Sequence, residues 1–156
     1  MVGLAVLAAS CSGDGAAKPF HPEASSAGFT VLYSKTDPNH SDPAGGPCAG
    51  IAPTAALSDA ERGIGGFECT TDPGLDVQLT DLGRGEVALW GLLNDGISRV
   101  RVGPVRAVTK GHTYLAVMAR PVGKLEVQGL DPAGKVVDTR SSTQLPPPVP
   151  VTNASA

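Results

Sequence analysis

Hydrophobic and polar positions alternate in short runs along most of this chain. Phe29–Tyr33 (FTVLY) is rich in β-branched and aromatic residues and predicts a strand. Glu86–Leu93 (EVALWGLL) is apolar at both alternating sets of positions, which predicts a strand covered on both faces. Ile97–Val102 (ISRVRV) alternates cleanly, with Val100 and Val102 inward and Arg99 and Arg101 outward. Asn94-Asp95-Gly96 between these two runs predicts a hairpin, because Asn and Gly tolerate positive φ. Val105–Thr109 and Thr113–Ala119 predict a second hairpin around Lys110-Gly111, and Leu125–Gln128 alternates again. Asp131-Pro132-Ala133-Gly134 suits a type I turn leading into a last strand at Lys135–Thr139. Lys35 to about Ile51 reads as irregular. Leu57–Arg62 predicts one helical turn, capped by Ser58 with Glu61 closing a capping box and Gly63 ending it.

Six or seven short strands, with no helical pattern between them, predict an all-β fold, a small antiparallel β-sandwich or open barrel. The same pattern argues against parallel βαβ units. The single β domain is expected over 28–142. Residues 11–27 read as a flexible tether and 143–156 as a disordered Pro-rich tail containing Pro146, Pro147, Pro148 and Pro150. The net charge of −3, with no run of basic residues, argues against a nucleic-acid partner. No apolar stretch reaches the roughly 18 residues of a membrane-spanning helix.

The first eleven residues, MVGLAVLAASC, join an apolar run to the small residues Ala8, Ala9 and Ser10 and then a cysteine. This arrangement resembles the signal and lipobox of bacterial lipoproteins. The resemblance covers these eleven residues only. It implies a signal peptide over 1–10, cleavage between Ser10 and Cys11, diacylglycerol (and palmitate) on the Cys11 thiol, and a protein anchored outside the cytoplasm on the bacterial cell membrane. With Cys11 taken by lipid, Cys48 and Cys69 remain as an even pair, expected to oxidise in an exported protein. A bridge between them encloses 22 residues, counted inclusively. The chain-entropy model gives such a loop roughly 3 kcal/mol. The alternatives are three idle thiols in a cytosolic protein, or a metal site. Neither Cys48 nor Cys69 has a second Cys or a His at zinc-ligand spacing.

Candidate chemistry is sparse. Asp37, Asn39 and Ser41 open like a calcium loop, but Asp42 stands where Gly belongs and Cys48 where Glu belongs, so a polar loop with Asx turns is expected. His112 has no nucleophile motif near it and reads as the first residue of a strand; His21 falls in the tether. Asp72, Asp76, Asp81 and Glu86 lie within fifteen residues, and a pair of them could serve as acid and base in a hydrolase. Solubilising carboxylates are the plainer expectation. Gly63, Gly65 and Gly66 lack the strand and helix of a dinucleotide fingerprint. Trp90, in step with Ala88 and Leu92, is expected in the core. Asn39 and Asn153 match glycosylation acceptors that matter only in a eukaryote. Arg99, Arg101 and Arg106 are a candidate cationic face, with cross-strand partners such as Glu86 as the plainer alternative. The expected function is non-catalytic: an anchored β domain that binds an envelope polymer or protein, without metal or cofactor. The alternative is a carboxylate-dependent extracytoplasmic hydrolase.

Overall fold

The computed structural model describes residues 18–39, 45–64, 66–70 and 74–141. Cys11, Asp42, Gly65, Asp72, Asn153 and the Pro-rich tail lie outside the described residues. The strands are β1 (His21–Ser26), β2 (Phe29–Ser34), β3 (Cys48–Pro53), β4 (Glu68–Cys69), β5 (Gln78–Gly83) and β6 (Glu86–Leu92). They continue with β7 (Arg99–Val102), β8 (Val105–Arg106), β9 (Val108–Lys110), β10 (Thr113–Ala119), β11 (Glu126–Leu130) and β12 (Val136–Ser141). One short helix, α1 (Leu57–Glu61), follows β3. None of the helices described is long and apolar enough to cross a membrane.

The strands form three antiparallel sheets, in the orders β1-β2-β3-β4, β5-β6-β10-β9 and β12-β11-β7-β8, that do not close into a barrel. The second sheet is the middle layer, because both its faces are buried. Val87 and Leu89 of β6, with Tyr114 and Ala116 of β10, pack on Val100, Val102 and Val127 of the third sheet. The intervening residues Ala88, Trp90, Leu92 and Leu115 pack on Ala24, Val31, Tyr33 and Ala49 of the first sheet. The two-faced apolar run of β6 thus has the covering on both sides that its pattern predicts. Leu32, Cys48 and Phe20 form a third cluster on the far side of the first sheet, beside Leu57 and Ala60 of α1.

Several expectations need correction. The folded unit begins before residue 28: β1 occupies the segment read as tether, and pairs with β2 through the turn residues Ala27 (φ 51°) and Gly28 (φ 83°). Both central residues at positive φ are what a two-residue hairpin needs to match strand twist. Cys48–Pro53, read as mostly irregular, is a strand paired with β2 along its full length. Asn94-Asp95-Gly96 does not make a hairpin. Strand β6 pairs with β5 and β10, whereas β7 pairs with β11 and β8, so the turn carries the chain from one sheet to another. Val105–Thr109 is likewise split, β8 joining the third sheet and β9 the second. Ser58 lies inside α1 rather than at its cap, which is Ala56 without a side-chain hydrogen bond. The turn Asp131–Gly134 forms as predicted, with the Gly134 N–H donating to the Asp131 carbonyl at 2.9 Å.

Asp138 on the edge strand β12 fastens the segment before β5. Its Oδ2 accepts the Leu75 N–H at 2.7 Å, and the Arg140 Nε donates to both carboxylate oxygens. The Leu75 hydrogen bond first, and then Arg140, hold the Asp138 carboxyl below its ordinary value of 3.8 against the opposing push of burial. A depressed native pKa adds stability above the unfolded value, which is lost as pH falls through the native one. Urea midpoints should therefore fall more for the wild type than for Asp138→Asn on acidification below about pH 4. Parallel curves would remove this role.

Candidate functional site

The three arginines singled out by pattern do come together. Strand β7 is polar at odd positions and buried at even ones, so Arg99 and Arg101 share the outer face of the third sheet. Strand β8 places Arg106 directly opposite Arg101. Directly opposed side chains of an antiparallel pair share a face and lie close, and like charges there repel. The compensation expected from Glu86 is absent, since Glu86 belongs to the second sheet, opposite Gly83 and Ala119. Arg101 instead donates Nε to Gln128 Oε1 at 3.2 Å, and Gln128 in turn donates to Glu126 at 2.6 Å. Arg99 donates to the Pro132 carbonyl at 3.3 Å. Among the described residues, none of the three arginines makes an ion pair. All three are exposed, so the outer face carries positive charge open to solvent.

A second feature was not legible in the sequence. A groove of about 570 Å³ runs between the first sheet and the loop after β6, lined by Tyr33, Leu92, Asn94, Asp95 and His112 among others. At its edge the His112 ring stacks on Tyr33, with centroids 4.1 Å apart and planes at 9°. His21 meets the same Tyr33 ring edge-on at 5.4 Å. Behind both imidazoles is Glu23, only 7% exposed. Its Oε1 lies 3.2 Å from His21 Nε2 and 3.1 Å from His112 Nδ1, and its Oε2 accepts the His112 backbone N–H at 2.7 Å. Burial, then the nearby Glu23 and Asp95 charges, push the Tyr33 phenol pKa up, which keeps it protonated. The cluster therefore offers hydrogen-bond donors and ring faces beside a groove. Among the described residues it holds no serine or cysteine nucleophile for a His-carboxylate pair to activate.

Glu23 is placed by an irregularity. The β1–β2 register shifts between Pro22 and Ser25, so the consecutive residues Glu23 and Ala24 are both buried. A bulge of this kind re-aims side chains that strict alternation would send to solvent. The Ala24 N–H, released from the ladder, donates to Thr113 Oγ1 at 3.2 Å and ties β1 to β10. The one local signal available was Ala27-Gly28 before FTVLY, which marks a turn with strands on both sides.

Of the candidate carboxylates, Asp72 lies outside the described residues, and Asp81 pairs with neither Asp76 nor Glu86. Asp76 lies beside Leu92, with the Asp76 N–H donating to the Leu92 carbonyl at 3.3 Å. Asp81 is opposite Val87 and ion-pairs with Arg120. Five residues of β6 separate these points, about 17 Å at roughly 3.4 Å per residue. Glycosidase carboxyl pairs lie within about 9.5 Å. Glu86 and Val87 point to opposite faces by the pleat, so Glu86 does not meet Asp81 either. The Asp76 carbonyl accepts the buried Tyr114 hydroxyl at 2.6 Å. Burial first, with the Asp76 charge, pushes that phenol far above the ordinary tyrosine range. Asp37 Oδ1 accepts the Asn39 N–H at 2.9 Å, the Asx turn expected of this loop. Gly63 ends α1 at φ 81°, without a phosphate-binding helix behind it. Trp90 is in the core, its Nε1–H donating to Thr80 Oγ1 at 2.9 Å.

Cys48 and Cys69 are bonded to each other as expected and are directly opposite in the β3–β4 ladder. Comparison with protein-family models, with curated proteins and with solved structures finds no match to this chain.

Proposed function

We propose that this protein is an exported lipoprotein, held at the outer face of a bacterial membrane by lipid on Cys11. Its β domain is non-catalytic and binds an anionic, phosphate-bearing component of the cell envelope. The observation that carries the binding is the Arg101–Arg106 pair. Two cations opposed across a ladder, with Arg99 beside them and none of the three ion-paired among the described residues, are relieved by an anion lying across the face. The disulfide supports the location, because such bonds persist in oxidising compartments. The hydrolase alternative lacks a geometric basis in Asp76, Asp81 and Glu86.

Radiolabelled palmitate fed to a bacterial host is expected to label the full chain and not its Cys11→Ala variant. Absence of label on the wild type removes the anchor. For the binding face, sedimentation with phosphatidylglycerol vesicles, phosphatidylcholine vesicles and soluble polyphosphate separates lipid from polymer. The anionic partners alone should bind, less tightly as salt rises. Each arginine near such a surface contributes about 1 kcal/mol. The Arg99/Arg101/Arg106→Ala triple variant should thus weaken binding on the order of a hundredfold. Equal binding by wild type and triple variant would sink the proposal.

A further inference from the structure

Three ligand-type atoms from separate parts of the first sheet converge at one point. Asp37 follows β2, Cys48 opens β3 and Cys69 closes β4, and a carboxylate oxygen of Asp37 lies within 4.8 Å of both sulfurs. Sequence spacing hides this set, because the third member is a carboxylate eleven positions before Cys48 rather than a nearby Cys or His. Backbone pairing and loop hydrogen bonds bring the three to this point. Cys48 is paired with Ser34 on one side and with Cys69 on the other, and the two cysteine Cα atoms are 4.0 Å apart. The Asp37 N–H donates to the Gly45 carbonyl at 3.3 Å, and its Oδ1 is oriented by the Asn39 N–H. Asp37 and Cys48 are buried, at 2% and 0% exposure, while Cys69 is half-buried. The neighbours of the two cysteines, Pro47 and Thr70, line the groove described above, which gives an ion a way in from that side.

We propose that the dithiol form of this cluster is a site for a zinc-class divalent cation, and that the Cys48–Cys69 bond closes it. Cys48 Sγ, Cys69 Sγ and an Asp37 carboxylate oxygen are the protein ligands, with water in the fourth position. Two thiolates and a carboxylate suit Zn²⁺, which takes S and O donors at about 2.3 and 2.0 Å in a tetrahedron. That geometry sets the sulfurs about 3.8 Å apart, a separation open to thiols on directly paired residues. Opening the site is a two-electron reduction. With a trialkylphosphine as reductant, disulfide, phosphine and water give two thiols and the phosphine oxide; the oxygen of water ends on phosphorus and its two protons on the sulfurs. Zn²⁺ then replaces both thiol protons, which leave to solvent. The oxidised protein keeps only the carboxylate and has no site.

The test uses the full chain carrying Cys11→Ser, so that only these two sulfurs are available, reduced with phosphine without oxygen. Co²⁺ is the probe because its spectrum reports its ligands. One equivalent should give tetrahedral d–d bands and a sulfur-to-cobalt charge-transfer band, both abolished by stoichiometric Zn²⁺. The oxidised protein and a Cys48→Ser/Cys69→Ser variant should give neither. Asp37→Asn should retain charge transfer but bind at least tenfold more weakly. If reduction costs the fold, Zn²⁺ added to the reduced chain should restore the far-ultraviolet β spectrum. Reduced protein without the charge-transfer band, reduced protein that Zn²⁺ fails to refold, or Asp37→Asn binding as tightly as the parent would each overturn the proposal.

Discussion

Trp90→Ala should cost about 3–5 kcal/mol, the range for truncating a buried large aromatic. Domains of this size are stable by only about 5–15 kcal/mol, so the variant stands near the threshold of folding. Trp90 is 5% exposed and lies where the first and second sheets meet, among Ala88, Leu92, Leu115, Tyr33 and Ala49. Two of those neighbours, Ala88 and Ala49, are alanines, too small to collapse into the space. Its indole N–H donates to Thr80. Trp90→Phe keeps most of the apolar contact and removes that bond, so a loss nearer 1 kcal/mol is expected. Urea unfolding followed by far-ultraviolet circular dichroism measures both, since Trp90 is the chain's single tryptophan and its fluorescence is lost. A cost under about 1 kcal/mol for Trp90→Ala would mean that the first sheet docks without this side chain.

The Cys48→Ala/Cys69→Ala variant should lose roughly 3 kcal/mol, mainly because the unfolded chain is released from a closed loop. That loop contains α1 and ends in β4, a strand of two residues that pairs with β3 at Cys48 and Ala49. So short a strand makes little pairing of its own. The denaturant midpoint should fall, and the slope should rise as the unfolded state expands. An unchanged midpoint would show that the covalent link adds nothing to the β3–β4 pairing.

The strands from Glu86 onward were largely legible because their signals are local. Val100 and Val102 alternate with Arg99 and Arg101, Asp131–Gly134 supplies its own turn, and Trp90 falls in step with Ala88 and Leu92. The N-terminal sheet was not. In β1 a bulge breaks the alternation and buries Glu23 next to Ala24. Strand β3 (CAGIAP) is built of small residues, and its identity as a strand comes from pairing with β2. The hairpin signal at Asn94-Asp95-Gly96 described a turn correctly and a partner wrongly, because a turn motif fixes local φ and ψ and leaves the choice of sheet to the rest of the core.

By itself the sequence determined the all-β class, the two-faced burial of β6, the outward arginines of β7 and the pairing of Cys48 with Cys69. The first three follow from side-chain periodicity, which needs no knowledge of distant neighbours, and the pairing was expected from the cysteine count once the lipoprotein resemblance set Cys11 aside. The tertiary structure alone decided that three sheets stack, that Glu23 backs His112, and that Asp37 reaches the two sulfurs. These are encounters between residues far apart in the chain, set by which apolar faces bury one another, and no local pattern encodes them.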